Sequence, residues 1–438
     1  MITETEAQRT PADLITDAKE LRQQVQSVVR DTPVIDIHTH VFPPVFGDMC
    51  LSGINDLLNY HYLIAEVFRS TDVSYACFWK MSKFERADLI WRILFVENTP
   101  ISEAARGVVS VLDEFGLDSR AQNLKEARDF FNSRNLLDQV DWVLETARVS
   151  DVVMTNDPLD EIEAEIWRNG GNPDRRFHTS LRLDSLLNEW PDAARILASQ
   201  GLHVNTGLSG STIAELRRFL DNWIKRMRPL YLAISLPADF KFPDENARDR
   251  LIHEVVLPTA KQHDLVLTLM VGVRRGVNPT LRAAGDGVGK ADVTALERLC
   301  AENPEVRFLA TFLARENQHE LCVAARKFNN LMPFGCWWFL NNPSIAAEIT
   351  RARLELLGPT FIPQHSDASV LEQLIYKWKH SRELIADTLY ESYARLLQSG
   401  RAVTRNEIAR DVNRLLSVNC REWVGLKKDA PRIIEAVS

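Results

Sequence analysis

Eight short apolar runs, each separated from the next by helical stretches, constrain this chain more than any other feature. The runs are VIDIHTH (34 to 40), VSDVVMT (149 to 155), FHTSLRL (177 to 183), YLAISLP (231 to 237), LVLTLMVGV (265 to 273), VRFLATFLA (306 to 314), MPFGCWWFL (332 to 340) and FIPQHSD (361 to 367). Between them stand DSLLNEWPDAARILASQ, STIAELRRFLDNWIKRM, ENARDRLIHEVVLPTAKQ, VTALERLCAEN and PSIAAEITRARLELLG, several opened by Ser, Asp, Thr or Pro and closed by Gly, as helices tend to be. Repeated alternation of this kind makes the strands parallel and winds them in one sense, and eight units close a ring. The expected fold is α/β, a (β/α)8 TIM barrel whose functional residues sit at the C-terminal strand ends.

One interval breaks the rhythm. Residues 41–148 read as several helices (INDLLNYHYLIAEVFR, KFERADLIWRILF, SEAARGVVSVLDEF, LLDQVDWVLETAR), a helical insertion that would overhang the barrel mouth. The expected division is 1–40 for an N-terminal helix and strand one, 41–148 for the insertion, and 149–438 for the rest of the barrel and its C-terminal helices. Helical spacing runs from Pro11 to Arg30 and is stopped by Thr32-Pro33. After Asp367, SRELIADTLYESYARLLQSG and TRNEIARDVNRLLSVNCREWVG predict long helices packed outside the barrel. The glycine-rich RRGVNPTLRAAGDGVG after strand five reads as a mobile loop. It lacks a phosphate-binding fingerprint, because no helix begins where the cradle would need one.

Composition removes whole classes of function. A net charge of −8 gives no reason to expect a nucleic-acid partner, and no apolar run approaches the ~18 residues of a membrane span. The six cysteines (Cys50, Cys77, Cys300, Cys322, Cys336, Cys420) form no CxxC pair, so reduced and mostly buried thiols are expected. The N-terminus lacks a basic segment followed by an apolar one, from which a cytoplasmic location is expected. A homo-oligomer acting on a small molecule is the expected assembly.

His38 and His40 lie two apart at a strand end, so the pleat turns both imidazoles to one face, a metal-ligand geometry suited to zinc or another borderline divalent ion. Asp367 ends run eight, and in a closed barrel strand eight neighbours strand one. Asp367 is therefore a candidate metal ligand, general base, or both, in preference to a helix N-cap. His365 reads as a packing or hydrogen-bonding residue. Arg182 can grip a carboxylate bidentately or pair with Asp184. Arg315 and Glu316 are site residues or a surface pair. On a regular strand only one of Trp337 and Trp338 can face the lumen. His61 and Tyr62, on a helix of the insertion, matter only if the insertion caps the mouth.

DIHTHVF, NYHYL, MTNDPLD, SLRLD, VGVRRG, ARENQ, FGCWWF, HSDAS and LLSVNCREWVGL occur in the order and at roughly the spacing of the uronate isomerases of the amidohydrolase superfamily. From about residue 30 onward the chain resembles that family, with FGCWWF and the terminal helix motif as its most specific parts. The resemblance implies a mononuclear divalent metal, zinc or manganese, on His38, His40 and Asp367. It implies a substrate pocket containing Arg182, with His61 and Tyr62 reaching the site and Trp337 or Trp338 bordering the sugar. The chain departs from the family pattern at three places: Met270 stands where a strand-five histidine is usual, Ser369 where an arginine is usual, and strand four ends in AISLPADF. These departures leave a changed substrate open.

The implied reaction is aldose–ketose isomerisation of a hexuronate through an enediolate. Asp367 is the first candidate base, and Arg182, with Arg274 as a second candidate, would hold the carboxylate. The alternatives are a mononuclear amidohydrolase, lactonase or decarboxylase, and a non-catalytic sugar-acid binding protein. A binuclear hydrolase is disfavoured, because strands four to six offer no bridging Lys or Glu and no histidines.

Overall fold

The computed structural model describes residues 13–426. Seven strands form one parallel sheet in sequential order: β1 (Val34–Thr39), β2 (Val149–Asn156), β3 (Phe177–Arg182), β4 (Tyr231–Pro237), β5 (Val266–Arg274), β6 (Phe308–Phe312) and β7 (Leu331–Pro333). Helices cover the outer face and side chains fill the inner one. This explains why β1, β5 except its last residue, and β6 are buried throughout and read as apolar runs without alternation.

The eighth run closes the ring without forming a regular strand. On one side Ile362 bridges Phe334 in parallel, and the Gly335 amide donates to the Ile362 carbonyl at 2.9 Å. On the other side the Asp367 amide donates to the His38 carbonyl at 3.2 Å, and the His40 amide to the Ala368 carbonyl at 2.7 Å. Pro363 cannot donate and Asp367 has φ 51°, so the ladder is interrupted where it carries the site. Asp36 clamps the closure. Its carboxylate accepts from the Ser366 amide at 3.0 Å and the Trp378 indole at 2.8 Å.

Local chemistry revises several boundaries. The helix expected from Pro11 begins at Ala18, capped by the Asp17 side chain, while Leu14–Ile15 pairs antiparallel with Val403–Thr404; Pro11 and Ala12 lie outside the described residues. The run MPFGCWWFL is a strand only as far as Pro333. Gly335 then turns with φ 62°, and Trp338–Leu340 forms a single 3-10 turn. A Cβ on Gly335 would lie 1.9 Å from the His365 ring, so only glycine fits there.

Within 41–148 the first expected helix splits into Ile54–Leu58 and His61–Val67. Tyr75–Lys80 and Lys125–Asn132 are helices the sequence pattern missed. The glycine-rich loop, expected to be mobile, is held in place. Gly287–Val288 pairs back on β5, and the Trp79 indole of the insertion donates to the Thr280 carbonyl at 2.8 Å. The C-terminal helix Gln373–Gln398 is a barrel-covering helix, packed against Ala18–Asp31, Glu103–Glu114 and Leu136–Ala147. The six cysteines are unpaired and four of them are buried. No helix among the described residues is long and apolar enough to cross a membrane.

Candidate active site

The closure that completes the barrel also assembles the site. His38 Nε2 lies 3.8 Å and His40 Nε2 3.6 Å from Asp367 Oδ1, and one ligand atom from each residue falls within 4.8 Å of the others. The Tyr231 hydroxyl donates to the Ile37 carbonyl at 2.6 Å, so its oxygen is free to accept from His38 Nδ1 at 3.3 Å. That bond puts the His38 proton on Nδ1 and turns the Nε2 lone pair toward Asp367, the tautomer a metal ligand needs.

Burial, more than any neighbour, drives the pKa of both imidazoles well below the usual histidine value and keeps them neutral. Burial also pushes the Asp367 carboxyl up to about 7, with Lys377 and Arg182 opposing it. Asp367 Oδ1 is buried and has no hydrogen-bond partner. Two neutral imidazoles facing an unpartnered carboxylate oxygen make a nitrogen and oxygen donor set that fits a divalent cation, which would remove the penalty of burying that oxygen alone.

These groups open onto a cavity of about 440 Å³ at the C-terminal strand ends, lined also by His61, Arg182, Asp184, Trp337 and Trp338. The two readings of Arg182 combine. It lines the cavity while its Nη2 and Nε contact Asp184 at 2.7 and 2.9 Å, which fixes the guanidinium plane. Asp184 is itself held by the Ser235 amide at 2.6 Å. Both tryptophans line the cavity, contrary to the one-face expectation, because the strand has ended before them and Trp338 sits at φ 46°. A bulky residue at positive φ is strained, and strain of this kind gathers at functional positions. His365 is fully buried, its ring 5.4 Å from that of His38, and it packs behind the His38 and His40 pair.

Three expected residues stand elsewhere. Arg274 is exposed and outside the lining, where Arg275 takes its place. The cause is Gly272: at φ 122° it slips the β4–β5 register, Leu236 facing Val271 and Pro237 facing Val273, which moves the alternation by one residue. Arg315 pairs with Glu348 at 2.8 Å on the surface, away from the cavity and not with Glu316. Of the insertion pair, His61 lines the cavity, whereas Tyr62 lies behind it with its hydroxyl buried and unpartnered.

Sequence reading missed Tyr231, Arg275 and Asp286. The two members of the Arg275–Asp286 ion pair are brought together by the folded-back loop, a contact no periodicity encodes. Met270 and Ser369, the two departures from the family pattern, both line the cavity, as do Ala233 and Ser235 from strand four.

No family model and no curated protein matches the chain. Among solved structures, a uronate isomerase from Bacillus halodurans C-125 superimposes with a TM-score of 0.92 at 51% identity, covering 94% of this chain and 97% of that one. A uronate isomerase from Thermotoga maritima (TM-score 0.74, 13% identity, 92% and 97% covered) and a glucuronate isomerase from Caulobacter crescentus (0.72, 17%, 98% and 98%) share the fold. Identity of that level over nearly the whole of both chains places this protein in the uronate isomerase family.

Proposed function

We propose that the protein isomerises a hexuronate between its aldose and ketose forms by moving a proton between C2 and C1 through an enediolate. The observation that carries this reading is the unpartnered Asp367 Oδ1 facing His38 and His40, in the same cavity as the braced guanidinium of Arg182. Arg182 would bind the substrate carboxylate. The Asp184 contact directs its plane, and a planar fork meets a carboxylate with two parallel hydrogen bonds. Asp367 would take the C2 proton and return it at C1; coordination through one oxygen leaves the other for the transfer.

A divalent ion held by His38, His40 and Asp367, zinc by the donor set with manganese as the alternative, would polarise the carbonyl and enediolate oxygens. His61 and the two tryptophans would enclose the sugar chain and exclude water.

The test is turnover of glucuronate and galacturonate in deuterated water by the zinc- and manganese-loaded protein. Incorporation of solvent deuterium at C1 or C2, abolished in Asp367→Asn, is the expected result. A folded, metal-replete protein inert toward every hexuronate ends the proposal.

A further inference from the structure

Two arginines line the cavity, and both are already compensated: Arg182 by Asp184 and Arg275 by Asp286. A further cation, Lys377, stands in the first turns of Gln373–Gln398. It is 2% exposed and, among the described residues, forms no ion pair. Its ammonium stands 5.9, 5.8 and 5.7 Å from the ring centres of Tyr60, Tyr62 and Tyr376, within cation–π range of all three.

In the same layer the Tyr60 and Tyr62 hydroxyls, His61 Nε2, His380 Nε2 and Glu103 Oε1 are buried without partners. Burial raises the carboxyl of Glu103, with Lys377 opposing, and among the described residues Glu103 forms no ion pair with that ammonium. The His61 ring packs 4.2 and 4.6 Å from the Tyr60 and Tyr62 rings and lines the cavity, so a single aromatic layer separates Lys377 from the cavity wall. The field of a charge at that depth is weakly screened. The anion that would balance it is a ligand in the cavity.

We propose that Lys377 is the uncompensated cation that gives the cavity its preference for anionic ligands. It is a positioning residue, acting across the Tyr60 to Tyr62 layer without lining the cavity. The sugar acid as natural ligand rests on the function proposed above; the charge preference does not.

Binding separates the two. Affinities of metal-loaded wild type, Lys377→Met, Lys377→Gln and Lys377→Arg are measured by calorimetry for glucuronate and for its uncharged amide, glucuronamide. Two neutral variants are used so that one folded example suffices. The expected result is a wild-type preference for the acid, a loss of about tenfold for the acid in the neutral variants with the amide unchanged within about twofold, and retention of acid binding in Lys377→Arg. Equal losses for acid and amide, an unchanged acid affinity in a folded neutral variant, failure of arginine to substitute, or no preference for the acid in wild type each overturns the inference. Turnover decides the isomerase reading separately.

Discussion

The two walls of the cavity are built on different principles. On the side of β1 and the closing segment, hydrogen bonds hold the backbone and the His38 ring that carry the site: Asp36 anchors Ser366 and Trp378, Tyr231 sets the His38 tautomer, and backbone bonds join Asp367 to His38 and His40 to Ala368. Across the cavity, β4 and β5 present Ala233, Ser235 and Met270, a surface defined mainly by its size. Position matters to about half an ångström on the first wall, where the proposed proton transfer and coordination would occur. Volume matters on the second. Changes on the first should abolish turnover, and changes on the second should redirect it.

The largest effect tests the first wall. Asp367→Asn keeps the shape and removes both the charge and the proton acceptor, so kcat should fall by at least about a thousandfold and bound metal should drop in elemental analysis. Retention of a tenth of the wild-type rate would erase the distinction between the walls. Next comes Arg182→Lys, which trades a braced fork for a point charge. The KM for a hexuronate should rise by about ten- to a hundredfold with a smaller change in kcat, as read from steady-state kinetics. On the second wall, Met270→Gln should alter the ratio of kcat/KM between glucuronate and galacturonate by about three- to tenfold, while kcat for the better substrate stays within about threefold. A loss of rate as deep as that of Asp367→Asn would place Met270 with the reactive atoms.

The same contrast governs what was legible in the sequence. The first wall was readable because it depends on strand pleat and ring closure: two histidines at spacing two on strand one, and an aspartate at the end of run eight, meet in any eight-unit barrel. The strands around the ring were readable for the same reason. What failed depended on single backbone angles. Gly272 slipped the register and substituted Arg275 for Arg274, and the turn at Gly335 ended β7 early and brought both tryptophans to the cavity. Contacts across long sequence separations were equally silent, among them Trp79 with the loop at Thr280 and Lys377 beneath Tyr60 and Tyr62. Periodicity reports which face a residue occupies, not which distant element will meet it.

The smallest effect comes from a buried acid outside both walls, and it separates stability from chemistry. Glu163 accepts from Asn156 at 2.7 Å, and Asn156 in turn accepts from the Thr179 hydroxyl at 2.6 Å, beneath the ends of β2 and β3. Burial pushes its carboxyl from an ordinary 4.5 up to about 7, despite the Asn156 bond that favours the ionised form. A folded-state value above the unfolded one means that the native protein binds this proton more tightly. The contribution is therefore fully present below about 4.5 and is lost as pH rises through about 7. Glu163→Gln keeps an oxygen to accept from Asn156 and removes the titration. Urea unfolding should show the variant gaining on wild type between pH 5 and pH 8, by roughly 1–3 kcal/mol at the upper end, with kcat unchanged within about twofold. A stability difference that stays flat with pH would mean that Glu163 ionises in the fold as freely as in the unfolded chain. A fall in kcat would mean that the belt beneath the strand ends belongs with the reactive wall after all.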